Sequence, residues 1–514
     1  MKAVRLIGLV VTMTSIALAL AVSAYAQSGD PDRGEVVYLK RCVGCHGDEG
    51  DGLGPGAERL NPPPRDFTIG DYKYRTTGFD DIVPNDSDIY RMIKDGMPGT
   101  AMASWGDVLS EQQMWDLVEY IKVFAGFDEE EPSEQVDYGT RVASSQESIE
   151  IGRKVFADTC AECHGEIGKG DGVKKLKDDN GARTWPRNLT KPWTFRASND
   201  PGDIFTRVTV GIPGTQMPSF ANPQSKKKLD IDQRWHVANY VSSLAQTGKV
   251  VRPKNTVVKA NKVAGDVPNS TDDVRWLEAE ATTFFLVPQI VARGRFFTPS
   301  NDTLTVRALY GDEEMAILLE WDDRTKSIPG YPDAEKIADS NMAEDAVAVQ
   351  LPRVIPEGTQ KPYFGMGEVG SPVNLLGWRS GTKGQPESAW LADGRGFDAL
   401  EHRDAAVVGL KVTGVYEKGT WRVVMARPRS TGDPDLDLQL EEGKFIPIAF
   451  SVWDGSNGER DTKHTMTTWY WLLLKPSGSA RPFVAALIVL LLVAGAEFWW
   501  WRSATRRPTE GTAS

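Results

Sequence analysis

Runs of basic residues are missing from this sequence, and cysteine and histidine are scarce. Across 514 residues, Lys and Arg number 59 against 71 Asp and Glu, for a formal net charge of −12. That balance and the absence of a basic tract exclude nucleic acid as a partner. With 40% hydrophobic and 25% charged residues, the composition is globular rather than disordered or fibrous. Nothing in residues 272–475 pairs a nucleophile with a base or forms a phosphate-binding glycine loop, so no bond-making chemistry is expected there. The isolated Asp345 and the Glu401-His402 pair read as surface groups. The length argues for roughly three domains.

Only four cysteines are present, and an exported chain with four would ordinarily be read as carrying two disulfides. Their spacing argues otherwise. Cys42-Val43-Gly44-Cys45-His46 and Cys160-Ala161-Glu162-Cys163-His164 use all four, each pair followed directly by His. This is the attachment pattern of a c-type haem. Thiols two residues apart reach a porphyrin from one helical turn, and the following imidazole reaches its iron. A zinc site would need further Cys or His at matching spacing, and only His236, His402 and His464 remain.

Both chain ends are apolar. Lys2 and Arg5 precede the apolar run Leu6–Val22, and Ala24-Tyr25-Ala26 supplies small residues for cleavage, so residues 1–26 read as a signal peptide. Residues 481–501 read as a membrane-spanning helix: Phe483–Ala496 carries no charge and Trp499-Trp500-Trp501 borders it. Arg502, Arg506 and Arg507 then place the tail, 502–514, in the cytoplasm. The bulk of the chain is expected on the periplasmic side of the cytoplasmic membrane.

Two stretches repeat one another. Gly34 and Gly152 each precede the first cysteine of a motif by eight residues. Arg65-Asp66-Phe67-Thr68 answers Arg187-Asn188-Leu189-Thr190. Gly96-Met97-Pro98-Gly99-Thr100-Ala101-Met102 answers Gly211-Ile212-Pro213-Gly214-Thr215-Gln216-Met217. Each repeat closes on a segment with helical periodicity, Glu111–Phe124 and Ile231–Leu244. The repeats predict domains at 30–127 and 148–246, separated by an acidic linker, 128–147. A second linker is expected at 247–271. Beyond it, β-rich alternating segments such as Ala316–Trp321 and Ile446–Trp453 predict a β-sandwich over 272–475.

A Met about sixty residues downstream completes each iron site. Met/His ligation suits an electron carrier, because the soft thioether favours ferrous iron and closes the sixth position. In register, Met97 faces Ile212 and Met102 faces Met217, so Met102 and Met217 are the candidate ligands opposite His46 and His164.

Residues 30–127 and 148–246 resemble cytochrome c domains of the small helical type. The β region resembles the haem b-binding gamma subunits of ethylbenzene dehydrogenase-type complexes. That likeness rests on Asp272-Asp273-Val274-Arg275-Trp276, Val287-Pro288-Gln289, Ala316 to Asp323, Pro362 to Gly367 with Pro372-Val373-Asn374, and Ala449 to Gly455 with Glu459 to Lys463. Those complexes belong to the type II branch of the dimethyl sulfoxide reductase family, with nitrate, chlorate and selenate reductases and nitrite oxidoreductases. The resemblance implies one haem b held between Met366 and Lys463, with His464 as the neighbouring alternative. A Lys ligand must bind as the neutral amine, a state that costs about 4–5 kcal/mol at pH 7. The resemblance further implies a molybdenum catalytic subunit and an iron-sulfur subunit as partners, and a cytochrome or quinone-linked complex on the membrane side. This chain departs from those single-domain subunits by carrying two cytochrome domains in front and an anchor behind. The expected whole is multidomain: two small all-α domains, a mainly-β sandwich and one transmembrane helix, with two haem c, one haem b and no catalytic residues. The competing readings are a stand-alone carrier to a terminal oxidase and a self-contained haem oxidoreductase.

Overall fold

The computed structural model describes residues 29–60, 62–98, 100–132, 134–179, 181, 183–247, 257–292, 300–331, 342–357, 360–476 and 481–505. The expected signal peptide, 1–26, and most of the expected tail lie outside them.

The repeats fold alike. The first unit contains α1 (Pro31–Arg41), α2 (Val43–His46), α3 (Asp86–Asp95) and α4 (Glu111–Ala125). The second contains α5 (Gln146–Thr159), α6 (Ala161–His164), α7 (Pro201–Val210) and α8 (Ile231–Thr247), with a small hairpin of β1 (Leu176–Lys177) and β2 (Arg183–Thr184). In each unit the first long helix packs on the last, and a glycine sets the crossing. A Cβ on Gly34 would meet the Asp116 carbonyl oxygen at 2.1 Å, and one on Gly152 would meet that of His236 at 2.0 Å. Tyr38 and Phe156, one turn further, fill the two cores. Pro at the first helical position and the Asp30 cap start α1; the Ser110–Gln113 capping box starts α4, and Gly126 at φ 72° ends it.

The expected linker 128–147 is not a free tether. Val136 is buried and its N–H donates to the Thr76 carbonyl, and Tyr138 stacks on Phe205 at 5.4 Å. Two apolar side chains among the acids are enough to pin it.

The third unit is built on a 14-stranded sheet. Its strands are β3 (Val257–Lys262), β4 (Thr282–Phe285), β5 (Val287–Pro288), β6 (Thr303–Tyr310), β7 (Glu314–Asp322), β8 (Ala346–Pro352), β9 (Val373–Arg379), β10 (Ser388–Gly394), β11 (Leu400–Arg403), β12 (Lys411–Glu417), β13 (Thr420–Pro428), β14 (Phe445–Trp453), β15 (Thr465–Met466) and β16 (Tyr470–Leu474). The main path runs β11-β10-β9-β8-β14-β16-β3-β6-β7-β13-β12. β14 joins the two halves: Ala449–Trp453 pairs with β8, and Phe445–Ile448 pairs with β16. One core draws on both halves, with Val347, Leu376 and Trp378 against Leu304, Ile317 and Trp421. β3 lies within the stretch expected as the linker 247–271. Its Val258 and Ala260 are fully buried between β16 and β6, so the unit begins before residue 272.

Asp345 also differs from expectation. It is fully buried rather than a surface group, whereas Glu401 and His402 are exposed. Its carboxylate accepts from Ser327 N at 2.6 Å, Trp421 Nε1 at 2.9 Å and Gly455 N at 2.9 Å. Carboxylate oxygens of Asp323, Asp345 and Asp454 lie within 4.8 Å of one another. Burial and the Asp454 charge push Asp345 up to about 8. The folded state therefore holds a proton that the unfolded chain releases near pH 4, and the stabilisation fades as pH rises from about 4 to about 8. Thermal melts of the full chain should lose stability across that window, and Asp345→Asn, which cannot ionise, should flatten the loss. An unchanged pH profile in the variant would remove Asp345 as the cause.

The last helix, α9 (Arg481–Thr505), includes an apolar segment, Ala486–Thr505, long enough to cross a bilayer. Leu487–Val493 and Phe498–Trp501 are exposed on every side, so no protein core covers them.

The second unit touches both others. Arg91 of the first unit forms a bidentate pair with Asp203 of α7, both bonds 2.7 Å. Toward the sheet, Lys169 and Lys191 lie 3.1 and 3.2 Å from the Asp322 carboxylate, and Asn188 donates to it at 3.1 Å.

Candidate functional site: three candidate iron-binding centres

The two Cys-x-x-Cys-His motifs adopt one conformation. The first long helix of each unit ends at Cys42 or Cys160, and a single turn of helix carries the rest of the motif. Cys45 and His46 N–H both donate to the Cys42 carbonyl, at 3.1 and 3.0 Å. Cys163 and His164 donate to Cys160 at the same distances. None of the four cysteines is in a disulfide. Cys42 and Cys160 are partly buried against the cores of their domains.

Each motif histidine is prepared as a neutral ligand. His46 Nδ1 lies 3.0 Å from the Arg65 carbonyl, and the ring stacks on Phe67 at 4.5 Å. The Arg187 carbonyl lies on the corresponding side of His164, but among the described residues the buried His164 Nδ1 has no hydrogen-bond partner. Burial lowers both pKa values. At His46 the carbonyl at Nδ1 holds the proton there and leaves Nε2 for a metal.

The methionine loops coincide as well. Met97 N–H donates to the Met102 carbonyl at 3.0 Å, and Ile212 N–H to the Met217 carbonyl at 3.0 Å. Thr100 and Thr215 close the turns, their hydroxyls 2.8 and 2.7 Å from the carbonyls of Met97 and Ile212. Met102 and Met217 thus occupy equivalent positions, and Met97 occupies that of Ile212.

The third centre lies on the β unit, on the sheet face away from the main core. Met366 is 1% exposed in a turn closed by Gly367 N–H on the Tyr363 carbonyl at 2.9 Å. Its φ of 63° is rare for a side chain with a Cβ, and Asp461, with φ 51°, repeats the feature near the other wall. Met366 packs with Trp453, Trp469, Phe364 and Phe397. His464 faces the same aromatic group, 4.7 Å from the Trp453 ring and 6.1 Å from Phe397. It is fully buried. Its Nδ1 lies 3.0 Å from the Asp461 carbonyl and its Nε2 has no partner. Burial brings its pKa down to about 4. The expected ligand Lys463 is exposed, its N–H closing a turn on the Arg460 carbonyl at 2.9 Å. Buried polar atoms are rarely left unpaired. An orphaned Nε2 on a neutral imidazole, beside a buried thioether in an aromatic wall, fits a haem. The sequence pointed to the 463–464 pair, and burial separates the two.

Two helical units with paired Cys-x-x-Cys-His and Met sites, joined to this β unit, define a haem electron-transfer protein. Family descriptions match in the same order: cytochrome c oxidase, cbb3-type, subunit III at residues 29–121; cytochrome c at 149–245; and ethylbenzene dehydrogenase at 273–406 and 394–465. The chain joins two cytochrome c domains, the class that carries haem c, to a gamma-subunit-like domain that matches the ethylbenzene dehydrogenase family. A putative respiratory nitrate reductase heme subunit of Haloferax mediterranei is 26% identical, over 46% of this chain and 79% of that protein. The chlorate reductase gamma subunit of Ideonella dechloratans is 25% identical, over 47% of this chain and 96% of its own length. A chain of the Kuenenia stuttgartiensis reducing HAO-like protein complex is 39% identical over 42% of this chain and 97% of its own, with a TM-score of 0.39.

Proposed function

We propose that this chain is a three-haem electron-transfer subunit, with two haem c and one haem b. It relays electrons between a molybdenum enzyme of the type II dimethyl sulfoxide reductase family, through that enzyme's iron-sulfur subunit, and the membrane respiratory chain. The observation that carries this reading is one chain holding two duplicated Cys-x-x-Cys-His/Met sites and a buried cluster of Met366, His464 and aromatic rings in a gamma-type domain. Haem supplies reversible one-electron iron chemistry.

The protein's own residues do the rest. Cys42, Cys45, Cys160 and Cys163 hold the porphyrins covalently. The Arg65 carbonyl keeps His46 in the metal-binding tautomer. Met102 and Met217 would supply the second protein ligands to the two haem irons, leaving neither centre free for substrate. In the β domain, Met366 supplies one ligand. For the other we place His464 ahead of Lys463, because a neutral imidazole binds without the about 4–5 kcal/mol of amine deprotonation. The α9 helix anchors the chain with its bulk in the periplasm and its tail in the cytoplasm, next to a cytochrome or quinone-linked complex.

The test is purification of the native complex in mild detergent. The expected preparation contains molybdenum and iron-sulfur subunits, two haems resistant to acid-acetone and one that is extractable. Ending the chain after Ser479 should release a soluble, haem-loaded protein from the membrane. Purification without molybdenum in any co-purifying subunit would overturn the partner, and only c-type haem in a pyridine haemochrome assay would overturn haem b.

A further inference from the structure

The second cytochrome domain is tied to the β domain by side chains that its repeat lacks. The backbone sets the register between the repeats. Gly52 and Gly170 N–H donate to the carbonyls of His46 and His164, at 2.9 and 2.8 Å. Phe67 and Leu189 N–H donate to those of Gly50 and Gly168, at 2.7 and 2.6 Å. Asp51, Asp66 and Ile69 of the first domain therefore occupy the positions of Lys169, Asn188 and Lys191 in the second. In the second domain all three residues are donors, and all three reach Asp322 at the end of β7.

Lys191 is the most committed of the three. Its side chain is 5% exposed, and its ammonium lies 2.5 Å from Asp302, 3.2 Å from Asp322 and 3.0 Å from the Thr303 hydroxyl, all in the β domain. Losing those partners would strand a desolvated charge. Ile69, at the same position in the first domain, stands 66% exposed, so the cytochrome fold does not require a cation there. Asn188 shows the same adaptation. Its side-chain oxygen accepts from the N–H and hydroxyl of Thr190 at 3.0 and 2.7 Å, as the Asp66 carboxylate accepts from Thr68 at 2.9 and 2.6 Å. The turn is common to both domains, and only the amide adds an N–H for Asp322. The β domain fits closely from its own side: a Cβ on Gly419, at φ 71° in the turn between β12 and β13, would lie 3.0 Å from Asp171 Oδ2. This contact is also continuous with the His464 pocket. Leu286 N–H donates to the Asp302 carbonyl at 2.9 Å, and the chain runs on through β5 to Gln289, whose N–H donates to the His464 carbonyl at 3.0 Å.

We infer that Lys169, Asn188 and Lys191 form a docking face particular to the second domain, which holds the His164 centre on the β domain and makes the second domain, not the first, the one that exchanges electrons with the β-domain haem. The step rests on the three-haem reading above. The first domain follows as the outer end of the relay, fixed to the second by Arg91–Asp203.

Replacing this face with that of the first domain tests the inference in the full, haem-loaded chain: Lys169→Asp, Asn188→Asp and Lys191→Ile together. Each new side chain already stands at its position in the folded first domain, so both c-type haems and their methionine–iron bands should persist. Electron exchange between the c-type haems and haem b, followed after pulsed reduction, should slow at least about tenfold, because a buried ion pair is lost and acids face Asp302 and Asp322. Amide hydrogen exchange across residues 187–194 should rise as the loop loses its cover. Adding Asp322→Lys, which sets a cation against the new acids, should reverse both changes in part. Lys154→Ile, at an exposed lysine of α5, should alter neither. The inference is overturned if the triple variant keeps wild-type electron and amide exchange, or if Asp322→Lys fails to reverse the changes. A preparation without haem b would instead overturn the three-haem reading, and amide exchange would still decide the docking face.

Discussion

His464→Ala is expected to remove the extractable haem from the β domain while both covalent haems stay in place. The imidazole is fully buried, neutral, fixed by the Asp461 carbonyl and unpartnered at Nε2. Loss of one of two axial ligands from a non-covalent haem should cut its occupancy at least tenfold, equivalent to about 1.4 kcal/mol or more. Lys463→Ala removes an exposed side chain and should leave the haem b spectrum intact. Pyridine haemochrome assays on the acid-acetone extract measure both. Haem b lost in Lys463→Ala and kept in His464→Ala would return the ligand to Lys463, with the lysine turning inward when haem is bound. Met366→Ala should match His464→Ala, because both walls of the pocket are needed.

Met102→Ala and Met217→Ala should each open one iron without releasing its haem, since the cysteine attachments remain. The near-infrared methionine–iron band should lose about a third of its intensity in each variant, since Met366 would supply the third methionine ligand. The midpoint of the affected haem should fall on the order of 0.1 V or more, because axial-ligand identity is the main lever on haem potential. Met97→Ala should leave the band whole, since Met97 holds the position of Ile212 in the repeated turn. A band weakened by Met97→Ala and untouched by Met102→Ala would show that the two loops are not equivalent.

The c-type sites were legible in the sequence because their chemistry is local. Cys42 to His46 and Cys160 to His164 each fit in one helical turn, and the spacing alone dictates which atoms can reach a porphyrin. The repeat then ranked Met102 above Met97, and the matching Met97–Met102 and Ile212–Met217 hydrogen bonds follow the same register. The apolar run of α9 was equally plain, since length and hydropathy need no partner.

What the tertiary structure decided depends on residues far apart in the chain. Lys463 and His464 are neighbours with similar ligand chemistry. Only the aromatic wall built from residues 364, 397, 453 and 469 determines which of them is buried. Asp345 looked like a lone surface acid, until Ser327, Trp421 and Gly455, from three separate segments, closed over it and Asp323 and Asp454 came within 4.8 Å. The stretch before residue 272 looked polar enough for a linker, yet Val258 and Ala260 supply a strand between β16 and β6. Sequence by itself determined the chemistry that short-range covalent geometry enforces. Packing decided which polar groups lose water and must find a partner, because desolvation depends on everything that surrounds a group rather than on its neighbours in the chain.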